Sequence, residues 1–308
     1  MDIGIIGGIN IDIEGAPFRS IRYRDSNPGT IRIAYGGVGR NIAENTARLG
    51  GNCAMISVCA DEPMSRGAVE NLRDLGVDVS HVKVISDGTP SMYLSILNEN
   101  RDMELAVSDM SIINNITPEY IDELTDWLKD TEIIALDGNL SERLLDYATC
   151  IFEDKKLFYD PVSASKGVRA KNFAGRFFAI KPNVMEAEAI LGIKIKTDED
   201  IVRAAERFME LGVKQVYITL GKDGVFYMDK DDSGFIRPWS GIDPVSATGA
   251  GDSFSACILI GLSEGMSVRD TAILGAAAAQ MTLESENAVN DRISREELNK
   301  RIGKEHKI

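Results

Sequence analysis

A chain of 308 residues with 44% hydrophobic side chains is long enough for one large α/β domain, or a main domain with a smaller insertion, and apolar enough to bury a sizeable core. Its formal net charge of −14 excludes the basic face that nucleic acid requires, so an anionic ligand must be captured locally by backbone amides, a few cations or Mg2+. No apolar run approaches the ~18 residues of a membrane span, and "MDIGIIGGIN" has no basic leader before its strand pattern; a cytoplasmic protein with no membrane partner is expected.

The chain opens on a buried strand, "IGIIGGI". From about Asp12 to Tyr35 helical periodicity disappears, and "SIRYR" and "TIRIAY" alternate as strands do around "SNPGT". Arg40 to Leu49 reads as a helix stopped by Gly50, "CAMISVCA" as a buried strand, and Met64 to Leu75 as a helix closed by Gly76. "HVKVI", "SMYLSIL" and "MELAV" return to short strands. The expected organisation is a main α/β domain over 1–11, 36–81 and 108–308, with 12–35 and 82–107 pairing into one small β unit.

Beyond residue 107 strands and helices alternate regularly: Pro118 at a helix start, "EIIALDG", a helix after Ser141, "LFYDP", "RFFAIKPN", a capping-box pattern at "TDED", and "QVYITLG". That alternation predicts a parallel sheet covered on both faces. "GVFYMD" and "GFIRPW" add antiparallel strands before two long helices at about 251–262 and 267–283. Cys53, Cys59, Cys150 and Cys257 are scattered through apolar stretches without C-x-x-C spacing, which predicts reduced core thiols. With His81 and His306 the only histidines, a His-based zinc site or Ser-His-Asp triad has almost nothing to be built from.

"SATGAGDSF", residues 246–254, carries the chemistry. Thr248-Gly249-Ala250-Gly251-Asp252 immediately precedes an apolar helical stretch, so its amides lie at a helix N-terminus, where unpaired N–H groups and the dipole favour an anion. A lone acid there would only complement the dipole, but Gly249 and Gly251 clear side chains from where a phosphate could approach the backbone. The chain has no G-x-x-x-x-G-K-[ST], and "GAGDSF" lacks the third glycine of G-x-G-x-x-G. A carboxylate at the edge of an anion hole suits phosphoryl transfer to an alcohol: Asp252 accepts the hydroxyl proton while the amides of Gly249, Ala250 and Gly251 stabilise the phosphoryl oxygens.

"ATGAGDSF" resembles the C-terminal signature, and "GGVGRNIAENTARLG" from Gly36 to Gly50 the N-terminal signature, of the ribokinase-like, or PfkB, carbohydrate and nucleoside kinases. The resemblance spans nearly the whole chain and implies a Rossmann-like three-layer α/β/α kinase domain with a small β-sheet lid. "KPNVMEAEAILG" resembles the family's N-x-x-E segment, which implies Asn183 near the phosphates and Glu186 at Mg2+, directly or through water. "TLGKDGV" resembles its nucleotide-side turn, which implies Thr219, Gly221 and Gly224 beside ATP, with Thr248, Gly249 and Gly251 on the phosphates. Within the family "SNPGTIRIAYGGVGRNIAEN", "DPVSASK" and "TLESENAVN" most resemble the pseudouridine kinases. One departure stands out: where the family often has an aspartate near a potassium site, this chain has Ser246, which leaves a monovalent-cation requirement open.

Several residues carry competing local readings. Asn10 and Asp12 follow the first strand as turn residues would, yet a loop there faces the ligand crevice, and the resemblance implies that Asp12 holds ribose hydroxyls. Gly36 and Gly37 could be a joint and Asn41 a helix-start residue; matched to the signature, the glycines admit the sugar and Asn41 bonds it. Glu186 and Glu188 have equal local claims, and only N-x-x-E spacing selects Glu186; a water-mediated carboxylate suits Mg2+. Lys166 and Asn139 are candidate substrate contacts at strand ends. Ser91 and Tyr93 alternate with Met92 on a lid strand that either covers the substrate or packs within the lid or a dimer seam. The alanines of "AAAAQM" make room for adenine or for close helix packing.

The expected function is ATP- and Mg2+-dependent phosphorylation of the 5′-hydroxyl of pseudouridine, with ribose or another sugar or nucleoside as the alternative acceptor. A non-catalytic nucleoside or sugar sensor on the same fold is the alternative of another class, and a nicotinamide-dependent oxidoreductase lacks its dinucleotide fingerprint. By analogy, the lid strands suggest a homodimer.

Overall fold

The apolar runs separated by amphipathic segments become adjacent strands of one sheet, because only a doubly covered sheet buries strands that are hydrophobic on both faces. The computed structural model describes residues 2–239 and 244–305; His306 lies outside them. In chain order the strands are β1 (Ile3–Ile6), β2 (Asn10–Pro17), β3 (Gly29–Gly36), β4 (Cys53–Ala60), β5 (Val82–Ile85), β6 (Met92–Leu97), β7 (Met103–Asp109), β8 (Ile133–Asp137), β9 (Lys156–Asp160), β10 (Ala179–Ile180), β11 (Gln215–Thr219), β12 (Val225–Met228) and β13 (Ser233–Ile236). The helices are α1 (Val38–Arg48), α2 (Pro63–Asp74), α3 (Pro118–Leu128), α4 (Glu142–Ile151), α5 (Ala164–Gly167), α6 (Val184–Leu191), α7 (Asp198–Leu211), α8 (Ala250–Glu264), α9 (Val268–Leu283) and α10 (Arg295–Glu305).

The large sheet runs β13-β12-β11-β10-β9-β8-β1-β4-β5 and the small one β3-β2-β6-β7. From β11 to β5 every pairing is parallel, and β12 and β13 extend it as an antiparallel hairpin. Side-chain alternation splits the core into two layers. Ile6, Ile134 and Leu157 pack with Ile121 of α3, Leu145 of α4, Ala187 of α6 and Phe208 of α7. Ile5, Ile133 and Phe158 pack with Ile42 of α1, Leu72 of α2, Ile258 of α8 and Ala272 of α9. The fold is therefore a three-layer α/β/α sandwich, and each fully buried Leu, Ile or Phe contributes about 1.5–3 kcal/mol.

The small sheet has two unlike faces. Its register aligns Ile33, Ile13, Leu94 and Val107 on one side and Ala34, Asp12, Tyr93 and Ser108 on the other. On the apolar side Ile31, Ile33, Leu105 and Val107 are exposed.

Four local readings are corrected. "SIRYR" is not a strand: Asn27 takes the Arg22 N–H on its Oδ1 at 2.8 Å and donates back to the Arg22 carbonyl at 3.0 Å, closing a turn in which Arg24 has φ +64°. Strand β5, grouped above with the second β excursion, pairs with β4 and ends the large sheet. Asn10 and Asp12 lie on β2 itself, not in a loop. Cys150 is exposed, while Cys53, Cys59 and Cys257 are buried free thiols. The small residues of α9 serve close helix packing: a Cβ at Gly275 would meet the Phe254 ring at 2.7 Å, and Ala277 and Ala278 pack against Cys257.

Candidate active site

The sequence-predicted residues collect along the carboxyl edge of the parallel strands, where chain reversals open a crevice. At its centre Asp137, the last residue of β8, is buried and accepts three backbone N–H groups at 2.9 Å, from Gly8, Gly39 and Asn139. One carboxylate thus joins the exits of β1 and β8 to the start of α1. Burial nonetheless raises its pKa, against the pull of the Gly8 and Asn139 bonds. Gly39 is required by this closeness, since a Cβ there would sit 2.9 Å from the Gly7 backbone.

Asp252 lies in the first turn of α8, half-buried at the crevice wall. Gly249 is the N-cap, at φ +84°, and among the described residues no side chain caps the helix, which leaves its first amides to an outside acceptor. The two loop glycines have different reasons. A Cβ on Gly249 would meet the Ala288 carbonyl at 1.8 Å, a constraint internal to the chain, whereas at Gly251 the one neighbour among the described residues is Lys181 Nζ at 3.4 Å. The loop ahead is held by Ser246, whose Oγ accepts the Thr248 N–H at 3.2 Å.

Asn41 of α1 donates from Nδ2 to Asp252 Oδ2 at 2.8 Å. Burial pushes the Asp252 carboxyl up to about 7; Asp160 and Asp137 add to the rise, and the Asn41 bond and Lys181 oppose it. Lys181 is itself buried, 3.3 Å from Asp160 Oδ2. Burial disfavours its charge, but Asp160, Glu186 and Asp252 outweigh that and raise its pKa. Asp160 also accepts from Ser255 Oγ at 2.7 Å, which ties the end of β9 to α8.

Beside this cluster Asn183 and Glu186 close the N-terminus of α6 as a capping box. Glu186 Oε2 accepts the Asn183 N–H at 2.8 Å, Oε1 accepts Asn183 Nδ2 at 2.9 Å, and the Glu186 N–H returns to Asn183 Oδ1 at 2.9 Å. Burial raises the Glu186 carboxyl and Lys181 opposes the shift. Glu188 is engaged elsewhere, with Lys194 and the Ile195 N–H. Thr219, the last residue of β11, bridges to Asn183, and the turn that follows needs Gly224, where φ is +99° and a Cβ would lie 2.0 Å from the Ile236 carbonyl; at Gly221, φ +60°, no described atom lies within 4 Å of an added Cβ.

On the small-sheet side, Asn10 donates from Nδ2 to Asp12 Oδ1 and accepts from Ser91 Oγ at 2.9 Å. Burial raises the Asp12 carboxyl, with Asn10 and Arg40 opposing. Gly36 pairs with Asn10 across the strands: a Cβ there would strike Asp12 Oδ2 at 2.1 Å, and one at Gly37, φ +97°, would strike the Gly8 carbonyl at 2.5 Å. Lys166 of α5 donates to Asn139 Oδ1 at 2.5 Å, and burial lowers its pKa.

Sequence reasoning missed Asp137, Asp160, Lys181 and Arg40. The first two end apolar strands in "ALDG" and "FYDP", and an acid at the carboxyl end of a buried strand was the available signal. Among the described residues no group of three or more His, Cys, Asp or Glu could hold a metal ion. Glu186 spends one lone pair of each oxygen on Asn183, so it fits Mg2+ through bound water better than as a bare ligand. The open acidic hollow of Asp229, Asp231 and Asp232 lies by the β12–β13 turn at the opposite end of β11, and Asp229 there accepts the backbone N–H groups of the other two.

An uncapped helix N-terminus with an acid in its first turn, held by an asparagine of another helix, is an arrangement suited to group transfer. The chain belongs to the pfkB family carbohydrate kinases, whose signature matches residues 2–295, and it is a kinase. It is 33% identical over 291 residues to the pseudouridine kinase of Escherichia coli strain K12, covering 94% of this chain and 93% of that protein. The crystal structure of a putative sugar kinase from Clostridium perfringens is 32% identical and superposes with a TM-score of 0.89 over 98% of this chain and 96% of the other. A putative ribokinase II from E. coli, solved in complex with ATP and Mg2+, has a TM-score of 0.85 at 17% identity over 98% and 99% of the two chains, a likeness of fold.

Proposed function

We propose that the protein transfers the γ-phosphoryl group of ATP to the 5′-hydroxyl of pseudouridine, giving pseudouridine 5′-phosphate and ADP. The observation that carries this reading is Asp252 at the open N-terminus of α8, with its carboxylate held by Asn41. In the proposed step the hydroxyl proton passes to Asp252, the sugar oxygen forms a bond to the γ-phosphorus, and the bond from that phosphorus to the bridging oxygen breaks to release ADP. The amides of Gly249, Ala250 and Gly251 stabilise charge on the transferring oxygens, and Thr248, whose N–H is taken by Ser246, extends that cradle with its hydroxyl. A carboxyl near 7 suits the task, being ionised enough at neutral pH yet basic enough to take the proton.

Asn183, Thr219, Gly221 and Gly224 line the nucleotide side. Mg2+ held through water by Glu186 would neutralise phosphate charge. On the acceptor side Asp12 and Asn10 meet the ribose hydroxyls, Gly36 and Gly37 leave the space, Asn41 reaches both acceptor and base, and Asn139 with Lys166 faces the base ring. Pseudouridine as acceptor is supported by the relative so named. The buried free thiols and the need for ATP suit the cytoplasm.

The small sheet is proposed as a lid that excludes water, the competing acceptor. Its exposed row of Ile31, Ile33, Leu105 and Val107 fits a second copy of the chain. Light scattering coupled to gel filtration should give twice the mass expected from 33.6 kDa; a monomer at working concentration rejects that dimer.

ADP formation from MgATP across pseudouridine, uridine, cytidine, adenosine, ribose and fructose 6-phosphate tests the substrate. Pseudouridine should give the highest kcat/KM, and Asp252→Asn should lower kcat by about 10²–10⁴-fold. Preference for another acceptor replaces the substrate, and wild-type turnover by the variant removes the proposed base.

A further inference from the structure

Arg40 occupies the first turn of α1 but does not face solvent: it is 4% exposed, beneath the crevice wall. Its guanidinium is spread over four acceptors from three elements. Nη1 donates to Asn41 Oδ1 at 3.1 Å and to the Tyr35 carbonyl of β3 at 3.4 Å; Nη2 donates to Asn71 Oδ1 of α2 at 2.5 Å and pairs with the Glu44 carboxylate. Nε has no partner among the described residues. Burying a guanidinium this deeply is costly unless the fork is needed, and a simple i,i+4 pair with Glu44 would form as well at the surface.

What the fork accomplishes is visible one bond further on. A side-chain amide has an oxygen and a nitrogen end of nearly identical shape, and only the nitrogen end can donate to a carboxylate. By binding Asn41 Oδ1, Arg40 turns Nδ2 toward Asp252 Oδ2, where it donates at 2.8 Å. The reversed amide would place its oxygen against the carboxylate and leave Arg40 facing NH2. We infer that Arg40 is a positioning residue for phosphoryl transfer: through Asn41 it fixes the Asp252 carboxylate, and through Tyr35 it ties that geometry to the root of the small sheet. The inference rests on Asp252 being the base.

A double-mutant cycle tests it, with MgATP and pseudouridine, or ribose where pseudouridine gives no turnover. Arg40→Met should lower kcat about tenfold, with the KM for ATP little changed, because binding is kept and alignment lost. In an Asn41→Ala background the same change should cost less than about twofold, since the residue through which Arg40 acts is gone. Arg40→Lys keeps a charge beside Glu44 without the fork; it should melt within a few degrees of the wild type yet stay within about threefold of Arg40→Met, and it carries the cycle where Arg40→Met fails to fold. Equal losses with and without Asn41, or full activity in Arg40→Lys, overturn the inference while leaving the base intact. Full activity in Asp252→Asn overturns the base and this inference with it.

Discussion

Helices α6 and α8 start at the same edge of the large sheet, and each has an acid at the third residue after its N-cap, Glu186 in one and Asp252 in the other. The two acids do opposite things. Glu186 folds back on its own N-cap, and with Asn183 it satisfies the first turn of α6 from within. Asp252 turns away from its helix to an asparagine 211 positions earlier, and Gly249 offers no capping oxygen. A helix end that caps itself has already satisfied its own first turn. One left open inside a crevice, with its acid held at the rim, retains both its amides and its carboxylate for a ligand.

A series of thermal melts sharpens the contrast. Gly249→Ala should cost most, roughly 3 kcal/mol or more, because the residue has φ +84° and its new Cβ meets the Ala288 carbonyl. Asn183→Ala should cost about 1 kcal/mol, the usual loss of a cap. Gly251→Ala should change stability least, since among the described residues only the end of a lysine lies near the added Cβ, yet on the proposed role of this loop in holding phosphate it should weaken turnover. Indifference of kcat and KM to Gly251→Ala would break the contrast between the two helix ends.

How much of this was legible in the sequence follows from how far each interaction reaches along the chain. The glycine loop, the N-x-x-E cap and the turn at Gly221 to Gly224 are local, so spacing alone brings their residues together. The two-layer core was legible for the same reason, as alternating apolar strands and helices. Asp137 was not, because its partners Gly8 and Gly39 lie 129 and 98 residues away. Lys181 reads as an ordinary charged residue until β9, β10 and α8 surround it. Arg40 lies inside the recognised signature and reads only as the start of a helix; the packing of β3 and α2 against α1 reveals its role. "SIRYR" failed for a different reason: its alternation matched a strand, but the side-chain bonds of Asn27 to Arg22 give that backbone a turn instead.

The most direct measurement is the pH dependence of kcat/KM for the acceptor at saturating MgATP. A base must be ionised to accept the hydroxyl proton, and burial holds Asp252 up to about 7, so activity should be present above that pH and fall as pH drops through it. The account predicts a rise with a midpoint near pH 7, absent from the residual activity of Asp252→Asn. A profile flat from about pH 5.5 to 9, or the same midpoint in the variant, would contradict it.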